Sequence, residues 1–117
     1  MTTDRGGWIA VDLDGTLAEY HGWQGELHIG KPVPLMVERV RQWLREGKDV
    51  RIFTARVGNG SATDNVGITR LIQDWTLVHV GRRLRVTCRK DFGMVELWDD
   101  RCVQVEPNTG RRVDGKE

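Results

Sequence analysis

From position 8 the chain reads Trp8-Ile9-Ala10-Val11, an unbroken apolar run that passes straight into Asp12-Leu13-Asp14-Gly15-Thr16. A short apolar run closed by turn residues predicts a buried strand. Residues 19–33 follow neither a helical nor an alternating period. They carry Gly22, Gly25 and Gly30 among Tyr20, His21, Trp23 and His28, and predict a loop or small hairpin. Pro34 suits a first helical position, and Val37, Val40, Trp43 and Leu44 then recur at helical spacing until Gly47 supplies a stop. Positions 50–54 predict a strand and 58–64 a polar surface loop. A helix over about 65–77 follows, with Ile68, Leu71, Ile72 and Trp75 on one stripe. Three more strands are expected at 84–87, 94–98 and 103–105, and the polar tail 107–117 is expected to fray. Strand, helix, strand, helix, strand is the order of right-handed crossover units. It predicts an α/β fold with a mostly parallel sheet of about five strands, covered by helices on both faces.

In such a sheet, ligands bind where the strands end at their carboxyl edge. Asp12, Thr54 and Asp99 each close a predicted strand, so the fold can gather them although they are far apart in sequence. Residues i and i+2 of a strand share a face, so Asp12 and Asp14 point at one ligand if the chain stays extended through Leu13. Gly15 then lets the backbone turn close to that ligand. Asp-x-Asp-Gly also occurs in calcium loops and hairpins. A calcium loop would continue with further oxygen ligands, whereas Leu17, Ala18, Glu19, Tyr20 and His21 follow here.

Composition narrows the setting. With 117 residues and a net charge of +1, the chain is expected to form one domain over residues 1–106, and bulk charge does not mark it as a nucleic-acid coat. Cys88 and Cys102 stand apart with no Cys-x-x-Cys spacing, the start is not signal-like, and no apolar run approaches the roughly 18 residues of a membrane span. A cytoplasmic protein with no membrane partner is expected, as a monomer or small homo-oligomer.

Four segments occur in a meaningful order: Asp12-Leu13-Asp14-Gly15-Thr16, Thr54 in Ile52-Phe53-Thr54-Ala55-Arg56, Lys90 in Cys88-Arg89-Lys90-Asp91, and Asp99-Asp100 in Leu97-Trp98-Asp99-Asp100-Arg101. In this order the sequence resembles the haloacid dehalogenase superfamily of phosphohydrolases, over nearly the whole chain. The resemblance implies a three-layer, Rossmann-like, doubly wound α/β fold. It implies Mg²⁺ as cofactor, because a carboxylate nucleophile approaching a phosphate dianion needs a cation between them. It makes Asp12 the nucleophile, Asp14 the general acid and then base, Thr54 a donor to the phosphoryl oxygens, and Lys90 the cation that joins phosphate and nucleophile. The metal shell comprises Asp12, the backbone carbonyl of Asp14, and Asp99 with Asp100. By the same resemblance, backbone amides from Leu13 to Thr16 bind phosphate. Read from position alone, Arg89 is the substitute for Lys90, and Arg56 either reaches a second phosphate or a carboxylate or is a plain surface arginine. Members resembling dehalogenases lack an acid two residues after the nucleophile, so Asp14 favours phosphoryl chemistry.

The windows in which larger members insert a cap are too short here, so no cap domain is expected and residues 19–33 become a flap over an open site. The phosphorylated substrate is then large, or small and enclosed by a neighbouring subunit. Aromatics of the flap could stack on a base or sugar, against the plainer reading that Trp23 packs on the body. The run Arg82, Arg83, Arg85, Arg89 and Lys90 raises a polynucleotide end as substrate, against a plain solvated strand edge. A phospho-acceptor receiver module shares acids, Thr and Lys but orders them differently. A non-catalytic phosphate-binding protein would not need Asp14.

Overall fold

The computed structural model describes residues 6–59 and 62–116 and, of residues 62–64, the backbone alone. Its elements are β1 (Trp8–Val11), α1 (Pro34–Arg45), β2 (Asp49–Phe53), α2 (Ala62–Val80), β3 (Arg85–Thr87) and β4 (Met94–Trp98). The strands form one four-stranded parallel sheet in the order β3-β2-β1-β4, with β1 paired to β2 and β4. All four residues of β1 are buried, as a central strand requires.

Both helices form from the expected stripes. Pro34 opens α1, Met36 and Val40 are buried along it, and Gly47, at φ 79°, ends it in the left-handed region that suits glycine. In α2, Ile68, Ile72, Thr76 and Val80 make the buried stripe, one turn longer than the apolar periodicity suggests. Thr76 substitutes for an apolar residue there because its hydroxyl is satisfied: it donates to the Gln73 carbonyl at 2.9 Å and accepts the Leu84 N–H at 3.1 Å. Ala62 is already helical, so the loop expected over 58–64 is shorter; Gly60 and Ser61 lie outside the described residues.

The helices pack against each other and against β2 and β3. Their core includes Ile9, Val11, Val50 and Ile52, which share one face of the sheet. Helices on both faces were expected, but the described residues place them on this face alone. The chain moves one way across the sheet from β1 to β3 and then returns from β3 to β4, and a right-handed return must cross the opposite face. That return spans three strand spacings of about 4.8 Å each. Residues 88–93 reach across it with no length left for a helix. This short strap covers Trp8 instead. The Asp91 carboxylate accepts the Trp8 indole N–H at 2.8 Å, and the Arg51 guanidinium lies 4.6 Å over the ring.

The fifth strand expected at 103–105 does not join the sheet. Val103 and Val105 are exposed, and Val105 bridges Arg112 antiparallel. Pro107 and Asn108, the latter at φ 67°, turn the chain so that the Glu106 N–H reaches the Arg111 carbonyl at 2.8 Å. The tail expected to fray therefore folds back on its own preceding segment. Among the described residues no helix is long and apolar enough to cross a membrane.

Candidate active site

The candidate site lies where β1, β2 and β4 end. The Asp12 N–H donates to the Trp98 carbonyl at 2.9 Å, which extends the β1–β4 ladder by one step and sets Asp12 beside Asp99. Carboxylate oxygens of Asp12, Asp99 and Asp100 all lie within 4.8 Å of one another. Burial pushes the Asp12 pKa up from 3.8 to about 7; the negative charges of Asp99 and Asp100 and a hydrogen bond with Asp100 push the same way, against a bond from the Leu13 backbone.

Two further residues hold this corner together. The Thr16 hydroxyl donates to the Asp100 carboxylate at 3.2 Å and accepts the Asp100 N–H at 3.0 Å, so Thr16 acts here on Asp100. Gly15 sits at φ 88°, and a Cβ there would stand 2.5 Å from the Asp100 carboxylate oxygen. The turn needs glycine for conformation and for space.

Three carboxylates this close repel one another until a cation or protons compensate. An all-oxygen donor set of this charge fits a hard divalent ion such as Mg²⁺. The Asp14 carboxylate is not part of the set, so a metal contact from Asp14 would fall to its backbone carbonyl.

Asp14 meets Arg56 instead. Arg56 grips it with two nearly parallel bonds, Nε to Oδ2 and Nη2 to Oδ1, each 2.8 Å. The Arg56 side chain is 5 % exposed. It also donates to the flap carbonyls of Glu26 at 3.1 Å and His28 at 2.7 Å, and stacks on Trp23 at 5.1 Å. The carboxylate that Arg56 reaches is thus internal. Thr54 is buried at the end of β2, and its hydroxyl oxygen accepts the Arg56 N–H at 3.1 Å, which leaves its own proton for another acceptor.

Arg89 and Lys90 are exposed on the strap. The charged groups that raise the Asp12 pKa are Asp99 and Asp100. The structure therefore brings together Asp12, Asp99, Asp100 and Thr16 in one group and Asp14, Arg56 and Thr54 in a second beside it, and leaves Arg89 and Lys90 outside both.

The flap is zipped at its base by Glu19 N–H to Lys31 carbonyl and Val33 N–H to Leu17 carbonyl, both 2.8 Å. Gly30 allows this closeness, since a Cβ there would collide with the Glu19 carbonyl. Between flap and body lies a cavity of about 180 Å³, lined by Asp14, Tyr20, Trp23, His28, Lys31 and Arg56 among others. That is smaller than the roughly 300–1,000 Å³ of sites that enclose a whole small molecule, so it suits one portion of a ligand.

Sequence reasoning missed the Asp14–Arg56 pair. The available signal was the spacing Thr54-x-Arg56, which puts both residues on one side of the chain as it leaves β2. No protein-family model, curated protein or solved structure matches the chain, so the site is described by its own geometry.

Proposed function

We propose that the protein is a Mg²⁺-dependent phosphomonoesterase that works through an aspartyl-phosphate on Asp12, on a Rossmann-like scaffold whose second helical layer is replaced by the strap. The observation that carries this reading is the placement of three carboxylates within 4.8 Å of one another at the carboxyl edge, with Asp14 and Thr54 beside them. When bound, Mg²⁺ would be held by Asp12, Asp99 and Asp100 and would offset the charge of both nucleophile and phosphate.

In the first half-reaction an Asp12 oxygen attacks phosphorus in line, the bond to the leaving oxygen breaks, and Asp14, protonated on one oxygen in place of one of its two Arg56 bonds, gives the leaving oxygen that proton. In the second, Asp14 takes a proton from water as the water oxygen attacks phosphorus, and the bond to Asp12 breaks to release phosphate. Thr54 donates a hydrogen bond from its hydroxyl to a phosphoryl oxygen. Lys90 would have to swing in from the exposed strap to take part. The open site suits a phosphate whose carrier remains partly in solvent, such as a sugar phosphate, a nucleotide or a polynucleotide end.

The test is hydrolysis of an aryl phosphate by purified protein with Mg²⁺, with chelator, and in Asp12→Asn. Turnover lost in the last two supports the reading, and full activity in Asp12→Asn overturns it. A phosphoprotein that persists without turnover would point to a receiver-like role instead.

A further inference from the structure

We propose that Arg56 is a positioning residue that holds the Asp14 carboxylate and the flap backbone as one unit, so that Asp14 is correctly placed only while the flap is seated. The consequence for turnover rests on the phosphomonoesterase reading; the physical link between flap and Asp14 does not.

Four hydrogen bonds leave one guanidinium, two to Asp14 and two to the carbonyls of Glu26 and His28. A planar fork with fixed donor directions can hold both partners at once, which a lysine ammonium on its flexible stem does not do. The group is nearly buried at 5 % exposure, where an unpaired charge would be strongly unfavourable, so the bonds to Asp14 and the flap stand or fall together. Arg56 is itself tied to the end of β2 through its N–H bond to Thr54.

Among the described residues, the flap's other anchors lie toward its base, where Ile29 packs against the hydrophobic core. That base is zipped at Glu19 and Lys31, and the Trp75 indole N–H meets the Gly30 carbonyl at 3.3 Å. Nearer the tip, the His28 N–H bonds within the flap to the Gly25 carbonyl, and among the described residues the bonds that tie the flap backbone to the body there come from Arg56. Gly22 and Gly25, both at positive φ, add no side chains of their own to fix the tip. Trp23, stacked on the guanidinium, closes the arrangement from the solvent side. Removing the guanidinium should release the tip and leave Asp14 without a fixed direction.

Two measurements on wild type, Arg56→Gln, Arg56→Lys and Asp14→Asn decide it. The first is amide hydrogen exchange, read without substrate. In Arg56→Gln, exchange over residues 20–30 should rise at least about tenfold with β1 and α1 unchanged, because two charge-assisted bonds to the flap are lost. Asp14→Asn, which weakens the other half of the clasp, should raise it less. If Arg56→Gln fails to fold, Arg56→Lys, with a single head group, carries the test and should show an intermediate rise. Unchanged flap exchange in the folded variant would overturn the proposal, whatever the activity.

The second is the ratio of kcat/KM for an alkyl phosphate to that for a nitrophenyl phosphate with Mg²⁺. A poor leaving oxygen depends on Asp14 and a good one hardly does, so the ratio should fall about tenfold in Arg56→Gln. Equal loss on both substrates would mean that Arg56 acts on the phosphate, and would overturn its positioning role. A wild-type protein with no turnover would overturn the phosphomonoesterase reading alone, and exchange would still decide the clasp.

Discussion

Asp12 and Asp14 leave the same strand two residues apart and meet opposite surroundings. Asp12 enters a corner made of two other carboxylates, whereas both oxygens of Asp14 are taken by one guanidinium. Neither difference is local. β4 carries the acids to Asp12, and β2 carries the arginine to Asp14. One side chain type thus acquires two settings from its neighbours: a crowded carboxylate that invites a cation, and a held one whose direction is set from outside.

The largest effect should come from Asp12→Asn, which removes the nucleophile and should lower kcat by about 10⁴-fold or more, read by single-turnover hydrolysis. A variant within tenfold of wild type would erase the proposed distinction between the two acids.

Next comes the cation. Mg²⁺ at about 100 times its Kd should stabilise the protein by about 2.7 kcal/mol, a rise in Tm on the order of 10 °C for a domain of this size. The rise should shrink sharply in Asp99→Asn and persist in Arg56→Lys. An equal response in both variants would show that the two regions are not separate.

Protons should partly replace the cation. Folded Asp12 titrates near pH 7 and an unfolded aspartate near 4, so between these values the native state holds the extra proton. Without metal, stability should therefore fall as pH rises from about 4 to 7 and stay low above that. A three-unit shift fully expressed would be about 4 kcal/mol; solvent reaches this half-buried carboxylate, so about 1–2 kcal/mol is expected. Urea unfolding at pH 5 and pH 8 in chelator checks the direction, and Asp12→Asn should flatten the difference.

The smallest effect should come from Thr16→Val, which leaves the Asp100 carboxylate and N–H without the Thr16 hydroxyl. About 1 kcal/mol of stability should be lost, with a several-fold weaker Mg²⁺ response. The flap exchange that reports the Arg56 clasp should not change.

Much of this was legible beforehand because apolar period and strand-end polarity are local. The run Trp8–Val11, the stripe Val37, Val40, Trp43 and Leu44, and the residues closing β1, β2 and β4 all follow from patterns a few positions long. The acids expected to converge do so at Asp12, Asp99 and Asp100, because parallel strands place their carboxyl ends at one edge.

What escaped depends on distance or on counting length. Arg56 meets Asp14 across 42 positions, and nothing near either residue names the partner. The side of the sheet crossed by residues 88–93 depends on strand order, which periodicity does not contain. Thr76 looked polar yet occupies the core stripe, since its bonds to Gln73 and Leu84 appear only once α2 and β3 are in place. Val103 and Val105 looked like a strand, but the turn at Pro107 and Asn108 offered a nearer partner than the sheet edge.

The pairing of β1 with β4 has one more consequence, in the order of folding. The units from β1 through α1 to β2, and from β2 through α2 to β3, close over moderate loops, whereas the Thr16–Asp100 contact spans 84 positions. Contacts of such separation must overcome the entropy of the largest loop, so β4 is expected to dock late, which pulse-labelled hydrogen exchange during refolding would check. The clasp between Asp14 and Arg56 belongs to the early part of the chain's assembly and the acidic corner to its last. The carboxylates repel one another only at the closing step, against a strand already guided by β1, so the nucleus of the fold forms without bearing the charge that the proposed chemistry requires.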